Sequence, residues 1–249
     1  MEKAILWLRE RGMSRAQKKA GRTAAEGVVQ VHVNDAGSAG VLVELNSETD
    51  FVAKDANFMA FANAVAANAL SSGADDVEAL AATDIDGATV EQARQALVSK
   101  IGENIQVRRV SRLKSANNIG AYVHGGRIGA MVDIEGGDGE LAHDIAMHVA
   151  ALNPEYIDVD DVPAEVLEKE KQFLVAQAAE SGKPPEIIEK MVTGRMRKHL
   201  SSITLLGQDF VKDGDVTVAK LLKQNNASIK GMHRLAVGEG IEKKQENFR

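Results

Sequence analysis

The chain has 249 residues, 44% of them hydrophobic and 27% charged, long enough for one large or two small packed domains and too apolar for a disordered or collagen-like chain. It contains no cysteine, which excludes disulfides, thiol nucleophiles and cysteine-ligated zinc and fits a reducing compartment; its net charge of −6 disfavours a general nucleic-acid binder, whose phosphate contacts demand basic excess. The apolar runs are too short for a membrane span, and the opening MEKAILWLRERG lacks the apolar core and small-residue cleavage site of a signal peptide, so the expected setting is the cytoplasm or an organelle matrix.

Residues 1–22 are a basic head, with Lys3, Arg9, Arg11, Arg15, Lys18, Lys19 and Arg22 against Glu2 and Glu10. Ile5, Leu6 and Leu8 predict a short amphipathic helix ending at Gly12, and Ser14 is placed to cap a second helix running toward Gly27. Trp7 asks for a packing partner that nothing upstream supplies, so the chain reads as one that begins inside a domain. From Val28 the period changes to two: VVQVHV and GVLVEL, parted by the turn-rich NDAGSA, predict a β-hairpin. Phe58, Phe61, Ala62, Val65 and Ala69 then recur at helical spacing. An acidic stretch leads to a second helix near 89–100, and IQVRRVSRL at 105–113 alternates like an edge or surface strand. The first unit is therefore β-β-α-α-β.

The same order returns in IGAYVHGGRIGAMVDIEGG at 119–137 and the helical GELAHDIAMHVAALNP, which predicts an internal duplication. VHVNDAGSAGVLVEL aligns with YVHGGRIGAMVDI, FMAFANAVAA with LAHDIAMHVA, and VRRVSRL with MHRLAV. The second copy is interrupted by two helical patterns separated by SGKP, an αα-hairpin. Val166, Leu167, Phe173 and Leu174 on one arm and Ile187, Ile188, Met191, Val192 and Leu200 on the other predict apolar seams and a short antiparallel coiled coil. The fold class is thus α+β: two related subdomains, each a small antiparallel sheet with helices, plus a helical-hairpin insertion in the second.

Enzyme chemistry finds no footing in these residues. His143 and His148 lie five apart, about 140° around a helix, and cannot share a metal as an i, i+4 pair does; one packed and one solvated histidine is the simpler expectation. No Gly-x-Ser-x-Gly elbow occurs, and Gly182-Lys183 is followed by Pro184 rather than by a phosphate-loop hydroxyl. The Gly-rich GGRIG and GGDGE read as turns, so no catalytic residue, metal ligand or cofactor is assigned.

The odd features lie at the surface. Phe51 sits in the polar stretch SETDFVAKD, either tucked back onto its own helix as a hydrophobic staple or held out as an aromatic anchor for a protein pocket. His124, in the matching hairpin of the second unit, is either a solvated turn histidine or a contact residue.

At these residues the sequence becomes recognisable. ETDFVAKDANF, KIGENIQVRRV, AYVHGGRIG, DIAMHVAA, the SGKP, EIIEKMV and GRM stretch, and RLAVGEGIEK resemble, in order and spacing, the bacterial elongation factor Ts family. The resemblance implies a guanine-nucleotide exchange factor for elongation factor Tu, taking part in protein biosynthesis and not an enzyme. It places Asp50 and Phe51, within a motif that also holds Thr49 and Val52, against the G domain of factor Tu near its magnesium ion, and adds Ile101, Gly102 and His124 to the contact surface. It implies a division into a remnant of an N-terminal helical domain with linker helix (1–27), core subdomain N (28–116), core subdomain C (117–162 and 201–240), the coiled-coil insertion (163–200) and the start of a truncated C-terminal module (241–249). No nucleotide, membrane or specific nucleic acid is expected as a direct ligand, and homodimerisation stays open. The alternative is a ribosome- or RNA-binding module using the basic head, although no aromatic residue interleaves with Arg15, Lys18, Lys19 and Arg22 to stack bases.

Overall fold

The alternating VVQVHV and GVLVEL runs build β1 (Glu26–Val33) and β2 (Ala39–Ser47), which pair antiparallel around a turn closed by Asn34, whose side chain accepts the N–H groups of Ser38 and Ala39. The computed structural model describes residues 13–242, so the expectations for the helix before Gly12, for Trp7 and for the segment after residue 242 lie outside the described residues. Ahead of β1, residues 13–19 are helical (α1). After β2 come α2 (Asp50–Ala53), α3 (Ala56–Ser72) and α4 (Val77–Ala81), then a two-residue hairpin of β3 (Asp84–Ile85) and β4 (Ala88–Thr89), α5 (Val90–Ile101) and β5 (Gln106–Lys114). Each helix start is chemically marked: Asp55, Asp76 and Thr89 accept backbone N–H groups of the first turns of α3, α4 and α5.

The second unit repeats this. Strands β6 (Asn118–His124) and β7 (Ile128–Glu135) precede α6 (Gly139–Leu152), and after the insertion β8 (Asp209–Phe210), β9 (Asp213–Thr217), α9 (Val218–Gln224) and β10 (Ser228–Ala236) complete it. The sheets run β1-β2-β5 and β6-β7-β10, the same order in each copy, with β2 and β7 central. The likeness reaches single residues. Arg112 on β5 donates to the carbonyls of Ala69 and Ala74 at the end of α3, and Arg234 on β10 donates to Ala150 O at the end of α6, at 3.1 Å. An arginine in each closing strand thus satisfies carbonyls that a helix C-terminus leaves without partners. Strands β3, β4 and β8 have two residues each and carry no readable period, and the five of β9, DGDVT, open on three exposed positions, so both short hairpins are invisible to a periodicity argument; their trace is a capping threonine followed by a buried valine, Thr89-Val90 and Thr217-Val218.

Alternation along the central strands divides the core. Val41, Val43 and Leu45 of β2 pack with Phe58, Ala62 and Val65 of α3, while Ala130, Val132 and Ile134 of β7 pack with Leu141, Ile145 and Val149 of α6. The opposite faces meet: Leu42, Val29 and Leu113 of the first sheet pack on Met131, Ile119 and Leu235 of the second. The result is two sheets face to face with helices outside, and β2 and β7 buried on both faces.

The insertion consists of α7 (Ala164–Ala179) and α8 (Pro185–Ile203). Its seam is Leu174, Ala178 and Val192, flanked by Ile188 and Met196. Phe173 and Ile187, both expected on the seam, are 61% and 46% exposed, because adjacent helical residues point 100° apart and only one of each pair can face the partner helix. At its base the N–H groups of Glu155 and Tyr156 donate to Ile203 O and Leu205 N–H donates to Tyr156 O, so the two ends of the insertion are stitched together.

Candidate partner-binding site

Strand β2 ends in Ser47, whose hydroxyl donates to Thr49 O at 2.9 Å and turns the chain into α2. Thr49 is the N-cap of α2, its hydroxyl accepting from Val52 N–H. Glu103, 54 residues further on, grips Thr49 with both carboxylate oxygens: Oε1 accepts the threonine hydroxyl at 2.8 Å and Oε2 its backbone N–H at 3.0 Å. The bond is returned, since Glu48 Oε1 accepts Asn104 N–H at 2.6 Å. Two tripeptides, Glu48-Thr49-Asp50 and Gly102-Glu103-Asn104, are therefore clasped by one acidic side chain from each reaching a backbone N–H of the other.

The basic segment before β1 closes this clasp from a third side. Lys19 Nζ donates to Gly102 O, Asn104 Nδ2 donates to Arg22 O at 2.7 Å, and the Arg22 guanidinium lies 3.5 Å from Glu48. Beneath it Val52 and Ala53 are buried in the first core, so Val52 anchors α2 from below. On this braced helix Phe51 is 81% exposed. The staple reading of Phe51 is overturned: α2 points the ring outward, and Val52 takes the place in the core. Beside it, Asp50 Oδ2 accepts from Lys54 Nζ at 3.0 Å, and that bond and charge hold the Asp50 carboxyl below its usual range.

Ile101 and Gly102 end α5. Ile101 is half-buried against the first core, and Gly102 adopts φ +90° as the helix stop, with its N–H donating to Val98 O at 2.9 Å. A side chain is strained there, which accounts for glycine at this position. His124, at the end of β6, is exposed on the other sheet, with Nδ1 3.1 Å from the Tyr122 hydroxyl. Its turn lies over β1, because Gly126 O accepts Val29 N–H at 2.8 Å and Arg127 pairs with Glu26 at 2.7 Å. Arg127 also adds a small electrostatic pull on Asp50. Thr49, Asp50, Val52, Ile101 and Gly102 are thus joined through the Glu103 clasp, while His124 approaches from the second subdomain across β1.

Residue-by-residue reading overlooked Glu48, Glu103 and Asn104. Their signal was position: Glu48 stands beside Thr49, Glu103 beside Gly102, and Asn104 one residue further on. The two histidines of α6 divide as expected, His148 buried and His143 exposed. Among the described residues no three His, Asp or Glu side chains group to hold a metal ion, and no helix is long and apolar enough to cross a membrane.

The family model described as elongation factor TS matches residues 48–239. The chain belongs to the elongation factor Ts family. The matched span opens on Glu48 and closes on Glu239, so it takes in the two clasped tripeptides, β5, the second sheet and the helical arm, while β1 and β2 precede it. Over all of its length the chain is 55% identical to the elongation factor Ts of Alcanivorax borkumensis, covering 87% of that protein, and 56% identical to that of Thioalkalivibrio sulfidiphilus, covering 85%. Likeness to the elongation factor Ts of Xylella fastidiosa is 53%, again across the whole chain and 85% of the relative. By membership in the elongation factor Ts family this chain is a translation elongation factor.

Proposed function

We propose that the chain is a guanine-nucleotide exchange factor that binds elongation factor Tu and speeds GDP release by setting Asp50 and Phe51 against the magnesium and phosphate site of the partner. The observation that carries the reading is Phe51, a large aromatic side chain 81% exposed on a four-residue helix whose base is clasped by Glu103, Glu48 and Lys19. An aromatic ring at that exposure gains apolar area only by entering a partner, and a braced helix loses little conformational freedom when it does so. Magnesium accepts only a narrow, near-octahedral set of oxygen ligands, so displacing the protein atoms around it loosens the ion and the phosphates together. No bond is made or broken in this chain.

Reciprocity follows. If the chain weakens GDP binding by some factor, GDP weakens binding of the chain by the same factor, so exchange needs no energy input and proceeds to whichever nucleotide is present. The basic head is partly committed to intramolecular work, with Lys19 and Arg22 held at the clasp and Arg15 at Ser99, which favours the protein-binding reading over the RNA-binding one.

The test is release of labelled GDP from factor Tu. Addition of the chain should accelerate release, and Phe51→Ala should reduce the acceleration about thirty-fold, the roughly 2 kcal/mol of a central aromatic anchor, while leaving thermal stability unchanged. Equal acceleration by both proteins refutes the role of Phe51, and no acceleration by either refutes the function.

A further inference from the structure

His124 does not stand alone on its surface. The Tyr122 hydroxyl lies 3.1 Å from its Nδ1, and the Tyr122 ring meets the His143 ring edge-on at 5.4 Å with an interplanar angle of 77°. His143 is itself fixed, because its Nδ1 is 3.0 Å from Ala121 O, and a carbonyl can only accept, so that nitrogen carries the proton. The three rings come from two elements: Tyr122 and His124 from the same face of β6, two residues apart, and His143 from α6 packed against that strand.

The direction of the Tyr122–His124 bond follows from the chemistry of its ends. A phenol is a better donor than acceptor, and an imidazole nitrogen without a proton is a strong acceptor, so the hydroxyl donates to Nδ1. With Nδ1 occupied as acceptor, the neutral ring carries its proton on Nε2, the far nitrogen, which then faces away from Tyr122. We propose that Tyr122, braced by His143, is a positioning residue for His124: it sets the ring and its tautomer so that an Nε2–H donor is presented to the partner. The inference rests on the reading of His124 as a contact residue for factor Tu. It extends that reading by naming what His124 offers, a directed donor suited to a carbonyl or carboxylate acceptor on the partner.

Tyr122→Phe removes the hydroxyl and keeps the ring that packs on His143, so its effect is separable from loss of fold. Two measurements on the full chain decide the matter. The first is nitrogen-15 NMR of the histidine rings of the free protein near about pH 8, where imidazoles are neutral. His124 should show a protonated Nε2 and an acceptor Nδ1, and Tyr122→Phe should move it toward the solvent-averaged mixture with the thermal midpoint unchanged. The second is stimulated GDP release. Tyr122→Phe should slow it about three- to tenfold, the net worth of one hydrogen bond, and the double variant with His124→Ala should be no slower than His124→Ala alone.

A proton on Nδ1 of His124, or a tautomer indifferent to Tyr122→Phe, overturns the inference; so does full additivity in the double variant. If His124→Ala leaves GDP release unchanged, the contact reading of His124 fails, and the NMR result on the free chain still decides whether Tyr122 orients the ring.

Discussion

Two arginines adjacent in sequence, Arg108 and Arg109, both reach the buried carboxylate of Glu44. In a regular strand their side chains would point to opposite faces; the bulge in β5, where Leu45 faces Val107 and Glu44 faces Arg109, leaves Arg108 as the extra residue and lets both turn the same way. Gly238 N–H at 2.8 Å and Asn46 Nδ2 at 3.1 Å fill the remaining positions on Glu44. Burial alone would raise the Glu44 pKa, but the Gly238 N–H and Arg109 outweigh it and hold the carboxyl below its ordinary value. Glu44→Ala should therefore cost about 3 kcal/mol in denaturant unfolding, the low end for a broken buried pair because both arginines keep some contact with water. A loss under about 1 kcal/mol would show that the arginines re-solvate freely. Since the folded pKa is depressed, the Glu44 contribution is complete above the unfolded value near about 4.3 and is lost as pH falls through the folded one. His148 acts at higher pH. Its Nδ1 accepts Val211 N–H at 3.1 Å, so the proton is on Nε2, which donates to Gln208 Oε1 at 2.8 Å; Gln208 in turn donates to Ser202 O. Burial lowers the pKa of His148, so the unfolded chain takes up its proton first as pH falls, and its contribution is full above about 6.5 and lost below. His233 is shifted in the same direction by burial. The thermal midpoint should fall between about pH 7.5 and 5.5, and His148→Gln should flatten that slope without abolishing it; parallel curves for the two proteins would contradict the assignment.

The helical arm is the element best separated from the rest. Helices α7 and α8 bury Leu174, Ala178 and Val192 against each other, and the chain enters and leaves through the paired segments at Tyr156 and Thr204. Replacing residues 165–200 by a short Gly-Ser linker should leave a cooperatively folded core with a thermal midpoint within a few degrees of the intact chain, measured by calorimetry. A loss of cooperativity would mean that the arm is part of the core. The long elements of this fold were legible in the sequence, since α3, α5 and α6 and the strands of both sheets carry their period and their caps. The four-residue α2 was not, because a single turn has no period to read. Nor was the arm's true seam: heptad spacing marks both Phe173 and Leu174, and only the rotation of α7 against α8 chooses between them.

At the scale of the whole molecule the duplication becomes a pseudo-twofold contact. Gly40 on β2 faces Met131 on β7, and Gly129 on β7 faces Leu42 on β2, so each central strand offers a glycine to the other's large side chain. A Cβ on Gly129 would lie 2.6 Å from Val29 Cγ1 and 2.9 Å from Leu42 Cδ2, whereas one on Gly40 would meet the flexible Met131 Sδ at 2.7 Å. Gly129→Ala should destabilise the protein by about 1–3 kcal/mol and Gly40→Ala by less, because a β-branched side chain yields less readily than a methionine tip. Gly139→Ala, in open space at the first turn of α6, is the control and should be neutral or slightly stabilising. Equal effects at all three positions would show that sheet-to-sheet approach does not limit the fold.

Local chemistry in the sequence was enough to determine the α+β class, the repeated order of elements, the helical insertion and the family, because each is written in period, capping residues and motif spacing over neighbouring positions. Phe51 and His124 could be singled out, but not assigned, since an aromatic residue in a polar loop fits a staple and an anchor equally well. Only the tertiary structure removed the staple reading of Phe51, by burying Val52 and clasping Thr49 to Glu103 so that the ring is left outside; its role as an anchor is the proposal made above. The same holds for Glu44 and for the glycines of the two central strands: their partners lie tens of residues away or on the other sheet, and contacts of that kind are fixed by packing, which no local pattern records.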